Sequence, residues 1–319
     1  MALFAPALDP GPTPAARMIG ELQAALASLA QRLDAHWLPV LLLVVLGHYF
    51  AEPARWRIYL RHHPAAQWPA LFHVFSLTAF VGYVVPAKLG LPLRIFLLRR
   101  RIGLPLGEVA ALLGVDGAAT YLTWALASVA ALPWAAGIGS TTSSRLLLGT
   151  ATILAFALVM GLSFRALPAM LRGCGSAAGR LSRCLSSVLD AVRSAASRRV
   201  LAAAAGITAI DILGHTLRHW ILLVMIGHPL PLPVAFAAAC IGIFAGMASL
   251  MPMGLGGYDI TLVLILGLNG VPVADGVAIA LANRLANLAV ASPLGLWSGT
   301  VLGINAFDRR ALRKLGSGG

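Results

Sequence analysis

Pro86-Ala87-Lys88-Leu89-Gly90, followed by Gly103-Leu104-Pro105 and Glu108, recurs as Pro252-Met253-Gly254-Leu255-Gly256, followed by Gly270-Val271-Pro272 and Asp275. Each copy reads Pro-x-x-Leu-Gly, a short apolar stretch, Gly-x-Pro, and an acid three residues on. Proline lacks an N–H and clashes with the helical turn before it, while glycine permits a reversal, so each copy predicts a break inside an apolar segment. Broken hydrophobic segments at corresponding positions of two halves point to a binding site near the bilayer midplane.

The composition around these elements sets the class. With 59% hydrophobic and 11% charged residues over 319 positions, and a mean hydropathy of +0.85, the chain reads as an all-α polytopic membrane protein. The net charge of +13 does not indicate nucleic acid, because 19 of the 24 Lys/Arg fall in four blocks: 53–69, 88–101, 165–199 and 309–314. The links at 134–144 and 227–235 carry no Lys, Arg, Asp or Glu, and 268–275 carries only Asp275. Lys/Arg asymmetry between short loops sets orientation, which places the four blocks in the cytoplasm and the three links outside. A cytosolic face this basic attracts anionic lipid headgroups. Cys174, Cys184 and Cys240 form no disulfide framework.

A span needs about 20 apolar residues, which selects 35–53, 107–133, 145–164, 200–226 and 277–303 as about five crossings. Two apolar stretches, 70–98 and 234–269, are each flanked on both sides by loops of the same charge character, so each must return to the side it entered. They read as re-entrant helical hairpins whose turns are Pro86 with Gly90, and Pro252 with Gly254 and Gly256. Non-helical backbone at that depth must be buried in protein or line a wet cavity. Crossing, hairpin, crossing over 35–133 is then repeated upside down over 200–303. Residues 1–34 form a Pro-rich start and an amphipathic segment with Leu22, Leu26, Leu29 and Leu33 on one stripe, 134–199 a linking crossing and cytosolic Arg-rich segment, and 304–319 a basic cytosolic tail.

An ionisable group near the bilayer centre costs from about 2.5 kcal/mol upward, so each one needs a partner or a role. The candidates for substrate binding are Lys88, Arg94, Asp116, Asp211, His215, Arg218, His219, Asp259 and Arg284; His48 and Glu52 are further ionisable groups inside the first crossing. Arg284 offers a planar fork suited to phosphate or carboxylate, or else pairs with Asp259 or Asp116. Repeat alignment sets Asp116 opposite Asn283, so a pseudo-twofold predicts Asp116 and Arg284 as neighbours. Asp211, His215 and His219 follow each other at four-residue steps along one helix face. That face is either a proton-relaying wall or a set of polar side chains bonded across helices. No other segment offers a His or Cys pattern matching it, so no metal is expected, and no cofactor. Lys88 and Arg94 either receive an anionic headgroup or, for Arg94, snorkel to the interface.

With Pro86, Lys88, Gly90 and Arg94 at the first break, and Pro252, Gly254, Gly256, Asp259 and Arg284 in the second half, the sequence resembles the membrane domain of the lysylphosphatidylglycerol synthase family over roughly 37–303. Leu91 stands where the family usually has Glu, Asp259 shortens the usual Glu, and the family's Glu-Arg-x-x-Asp run is here Gly114-Val115-Asp116-Gly117. The resemblance implies a flippase or scramblase for a lipid with an anionic, aminoacylated or glycosylated headgroup. The expected setting is the bacterial inner membrane, with the C-terminus cytoplasmic. Partners are anionic membrane lipids and, in one reading, a lipid-modifying enzyme; no nucleic acid is expected. The alternatives are a secondary transporter of a small anionic solute and a non-transporting partner of that enzyme. No Gly-x-Ser-x-Gly, His-Glu-x-x-His or phosphate-cradling loop marks the chain as an enzyme.

Overall fold

A computed structural model describes residues 31, 33–85, 89–136, 198–249 and 256–304. Pro86, Lys88, Pro252 and Gly254, the amphipathic stretch before residue 31, the crossing at 145–164 and the two basic segments after it lie outside those residues. The described chain is helical: α1 Leu38–Tyr59, α2 Trp68–Val84, α3 Gly90–Leu97, α4 Leu106–Ala135, α5 Arg198–Met225, α6 Leu232–Ala248, α7 Gly257–Leu268 and α8 Val273–Val301. A 3-10 turn, Ala35–Trp37, leads into α1, and a π turn, Leu98–Ile102, extends α3. Four helices are long and apolar enough to cross a membrane: Ala35–Tyr59, Leu106–Ala135, Ala202–Met225 and Val273–Val301. Leu43, Ile210, Leu213 and Leu264 are exposed on the outside of the bundle, as expected where lipid is the solvent.

α1 runs further than the loop charges imply. Arg55 and Arg57, read from the sequence as cytoplasmic loop residues, lie on its last turns, and Arg55 is buried. Leu41, Val45, Tyr49 and Trp56 bury one face of that helix, which carries the chain past Pro53 without a stop.

The two halves share their local grammar at a constant offset. Gly103 and Gly270 end a helix with φ of 80° and 84°, a left-handed conformation that favours glycine. Pro105 and Pro272 then precede α4 and α8 directly, where a missing N–H costs nothing. Both apolar stretches form helix–break–helix elements. A β-carbon on Gly90 would stand 2.6 Å from the carbonyl oxygen of Thr78, and one on Gly257 would stand 2.9 Å from that of Ala245. Only glycine lets the second helix lie this close to the first. Gly90 meets Gly82 and Thr78, while Arg94 reaches back to Thr78 and Phe75. The partners descend α2 as the chain ascends α3, so the two helices form an antiparallel hairpin.

Packing between halves is reciprocal. α4 lies on α6 and α8 lies on α2, so the last helix of each half covers the broken element of the other, and α1 lies on α5. One end of the bundle gathers Asp34 with Met225 (N to O, 3.0 Å), Asn269 with Ala135, and His228 with Asp275 (2.6 Å). At the other end the Arg101 guanidinium donates to the carbonyl of Leu302. His73, near the start of α2, meets Ser298, near the end of α8. The α2–α3 hairpin therefore opens toward one end of the bundle and the α6–α7 pair toward the opposite end.

Candidate functional site

Among the described residues, three arginine–carboxylate pairs sit inside the bundle, and their surroundings separate them. Arg55 Nε lies 2.5 Å from Asp116 Oδ1 and Nη2 lies 3.4 Å from Oδ2, with Trp56 Nε1 donating to Oδ2 at 2.9 Å and Arg55 Nη1 donating to Thr208. Arg55 is 5% and Asp116 6% exposed. Each guanidinium nitrogen of Arg55 and both carboxylate oxygens of Asp116 have a hydrogen-bond partner, so Asp116 belongs to a structural lock joining α1, α4 and α5. Asp116 and Arg284 are not partners, contrary to the pseudo-twofold expectation, because Arg55 of α1 holds Asp116 while Asp259 of α7 holds Arg284.

Arg94 stands on α3 and makes a two-point pair with Glu52 of α1, at 2.6 and 3.3 Å. Its guanidinium lies 4.4 Å above the Phe75 ring. It walls a cavity of about 460 Å³ with Thr78, Ala79, Gly82 and Tyr83 of α2 and Gly90 and Leu91 at the start of α3. Leu91 is 52% exposed, so this cavity reaches the outside of the bundle. Arg284 of α8 pairs with Asp259 of α7 in the same two-point fashion, at 3.0 and 2.6 Å. Asp259 also accepts the N–H of Gly256, whose φ of 82° turns the chain into α7. The Arg94–Glu52 and Arg284–Asp259 side chains keep partial exposure, between 17% and 32%, unlike the Arg55 lock.

The Asp211, His215, His219 face splits between two neighbours, as the drift of four-residue steps on a helix with 3.6 residues per turn requires. Asp211 accepts from His48 Nδ1 of α1 at 2.5 Å, and the His48 and His215 rings meet edge to face at 4.6 Å. His219 instead turns to α7. Its Nδ1 donates to the His215 carbonyl at 2.6 Å, so its Nε2 accepts from the Tyr258 hydroxyl at 2.6 Å, and that hydroxyl accepts from Asn283 at 2.8 Å. Asn287 closes the circuit, donating to the Asn283 carbonyl and accepting from Arg218 Nη1 at 2.9 Å. His219 is thus a cross-helix hydrogen-bonding residue. Arg218 is buried, meets only neutral acceptors (Asn287 and His215 Nδ1), and leaves its Nε unpartnered. Its charge and that of Arg284 both act on Tyr83, in the cavity wall.

Sequence reasoning passed over His48 as a partner for this face and found no metal ligand for it. The fold supplies one: the donor atoms of His48, Asp211 and His215 lie within 4.8 Å of one another. The spacing suits a cation but the donor set does not. Arg218 donates to His215 Nδ1, which leaves the proton of the neutral ring on Nε2, the atom a metal would need, and adds a fixed positive charge beside it. The signal that was available is the four-residue step from His48 to Glu52, which puts both on one face of α1.

No curated protein and no solved structure matches the chain. The family model described as the lysylphosphatidylglycerol synthase TM region matches residues 18–295. With four helices fit to cross a membrane and most of its length inside that match, this multi-pass membrane protein belongs to the lysylphosphatidylglycerol synthase transmembrane-region family.

Proposed function

We propose that the protein moves a lipid with an anionic headgroup, plain, aminoacylated or glycosylated, between the leaflets of the bacterial inner membrane, as a flippase or scramblase. The observation that carries this reading is the cavity at the first helix break, walled by Arg94 and open beside Leu91. A headgroup fits a recess that presents Arg94, Thr78 and Tyr83 from a largely apolar wall, while its acyl chains stay among the exposed leucines of the outer surface. α7 has 12 residues, about 18 Å at 1.5 Å per residue, against a hydrocarbon core of about 30 Å. Hairpins that open toward opposite ends of the bundle then read as re-entrant elements entering from opposite leaflets, an inverted repeat.

Charge favours an anion. Arg94 and Arg284 hold carboxylates in the planar two-point geometry that also fits phosphate. Arg218 adds positive charge without a carboxylate at ion-pair distance among the described residues. No covalent chemistry is assigned to the chain. The basic end, with Arg101 beside Leu302, faces the cytoplasm together with the C-terminal tail.

The test is transport by the purified protein in vesicles carrying fluorescent phosphatidylglycerol, with leaflet exchange read by dithionite quenching. Wild-type protein accelerates exchange. Arg94→Ala slows it about tenfold or more, the loss of a charge-assisted hydrogen bond. Equal rates for the variant remove Arg94 from the headgroup path, and no acceleration by the wild type ends the lipid reading.

A further inference from the structure

Glu52 differs from the other carboxylates in the bundle. Asp116 is held by Arg55 and Trp56, and Asp259 by Arg284 and the Gly256 N–H, whereas Glu52 has Arg94 as its one hydrogen-bonding partner among the described residues. Its side chain is also the most exposed of the three, at 32%. On its other side, Glu52 and His48 line a second cavity of about 40 Å³. A space of this size is large enough to admit water between the two side chains. The smaller cavity shares Ala79 and Tyr83 with the larger one. Asp211, His48, a water-sized space, Glu52, Arg94 and the headgroup recess therefore follow one another, with Phe75, Pro53 and Ala79 completing the wall of the small space.

We propose that Glu52 is the resident counter-anion of the headgroup site and the proton acceptor that couples transport to a proton gradient. The anionic headgroup displaces Glu52 from Arg94, and Glu52 takes up one proton delivered through His48. When the headgroup leaves into the other leaflet, Glu52 gives its proton to water on that side, breaking the O–H bond, and the Arg94–Glu52 pair re-forms. A carboxylate stripped of its cation in a poorly solvated setting neutralises rather than stays charged. The exchange balances: the only bond made is O–H on Glu52, Arg94 stays charged throughout, and one proton accompanies one negative charge. This rests on the lipid-translocation reading and adds its coupling ion.

The groups that act on Glu52 come from every neighbouring element. His48 and Arg55 share its helix, Arg94 faces it from α3, and Tyr83 faces the cavity from α2. From α5, Asp211 reaches it through His48; Arg218 of α5 and Arg284 of α8 act on Tyr83. His73 of α2 is turned away toward Ser298, and Asp34 and His36 stand before the far end of α1.

Vesicles holding the full-length protein, fluorescent phosphatidylglycerol and the pH dye pyranine test the coupling. A one-unit pH gradient is expected to drive the leaflet ratio of the lipid toward about tenfold, with proton movement reported by the dye. In Glu52→Gln the gradient response and the dye signal, each normalised to that variant's own downhill rate, are both lost. Wild-type protein also supplies a readout independent of the variant: glycerol phosphate added in weak buffer produces uptake of about one proton per anion bound. If the wild type moves lipid identically with and without the gradient, or Glu52→Gln keeps the response, the coupling is wrong and translocation stands. If the wild type moves no lipid, both fall together.

Discussion

Arg55 and Asp116 form a two-point ion pair sealed inside the bundle, whereas Arg284, one residue past the counterpart of Asp116 in the repeat, pairs with Asp259 at a partly exposed position. Charges in such a setting repay their desolvation only when both partners are present. Arg55→Met or Asp116→Leu alone is expected to cost about 3–5 kcal/mol, and the double variant distinctly less than the two single losses together. Unfolding in mixed micelles measures the cycle; additive losses would show that the pair is not coupled.

Close backbone approach should be the property that Gly90 and Gly257 protect. Their added β-carbons meet backbone carbonyls within 3 Å, which a flexible side chain cannot relieve. Gly90→Ala and Gly257→Ala are each expected to destabilise by about 1–3 kcal/mol. Gly114→Ala, on the exposed side of α4 with open space around its β-carbon, changes stability by less than about 1 kcal/mol. Thermal melts of the three variants decide the matter, and a neutral Gly90→Ala would contradict the packing.

Tyr258 and Tyr49 offer a matched comparison. The Tyr258 hydroxyl is shared by His219 and Asn283, while the buried Tyr49 hydroxyl has no partner. Tyr258→Phe leaves two buried polar groups unsatisfied and is expected to cost about 1–3 kcal/mol; Tyr49→Phe is expected to be neutral or mildly stabilising. Equal effects in chemical denaturation would refute the hydrogen-bond circuit.

The proposed role of Arg284 as a headgroup ligand can be tested beside its observed pairing with Asp259. Arg284→Ala in the fluorescent-lipid assay is expected to lower exchange about tenfold, with a melting profile close to wild type because the pair is partly solvated. Unchanged exchange would confine Arg284 to holding α7 against α8.

Much of the architecture could be read along the chain. Crossings at 107–133, 200–226 and 277–303 match α4, α5 and α8 to within a few residues, since length and apolarity are local quantities. Gly103, Pro105, Gly270 and Pro272 fall where helices stop and start for equally local reasons. α1 was read too short, because charge was taken to mark a loop when Arg55 was buried against Asp116. Among the site residues, Arg94, Asp259 and Arg284 are legible as intramembrane charges, and the Arg284–Asp259 pairing is one of the two alternatives that the sequence offers; the pairing of Arg94 with Glu52 is not.

The sequence by itself determined that this chain is a helical membrane protein with two broken apolar elements, because lipid demands internally satisfied backbone and only proline and glycine interrupt it. Tertiary structure alone decided who neutralises whom. Arg55 and Asp116 are 61 residues apart and His48 and Asp211 163, and no local pattern encodes such meetings. They follow from reciprocal packing of the halves, which sets α1 against α5 and makes Glu52, an acid in an apolar run, the partner of Arg94.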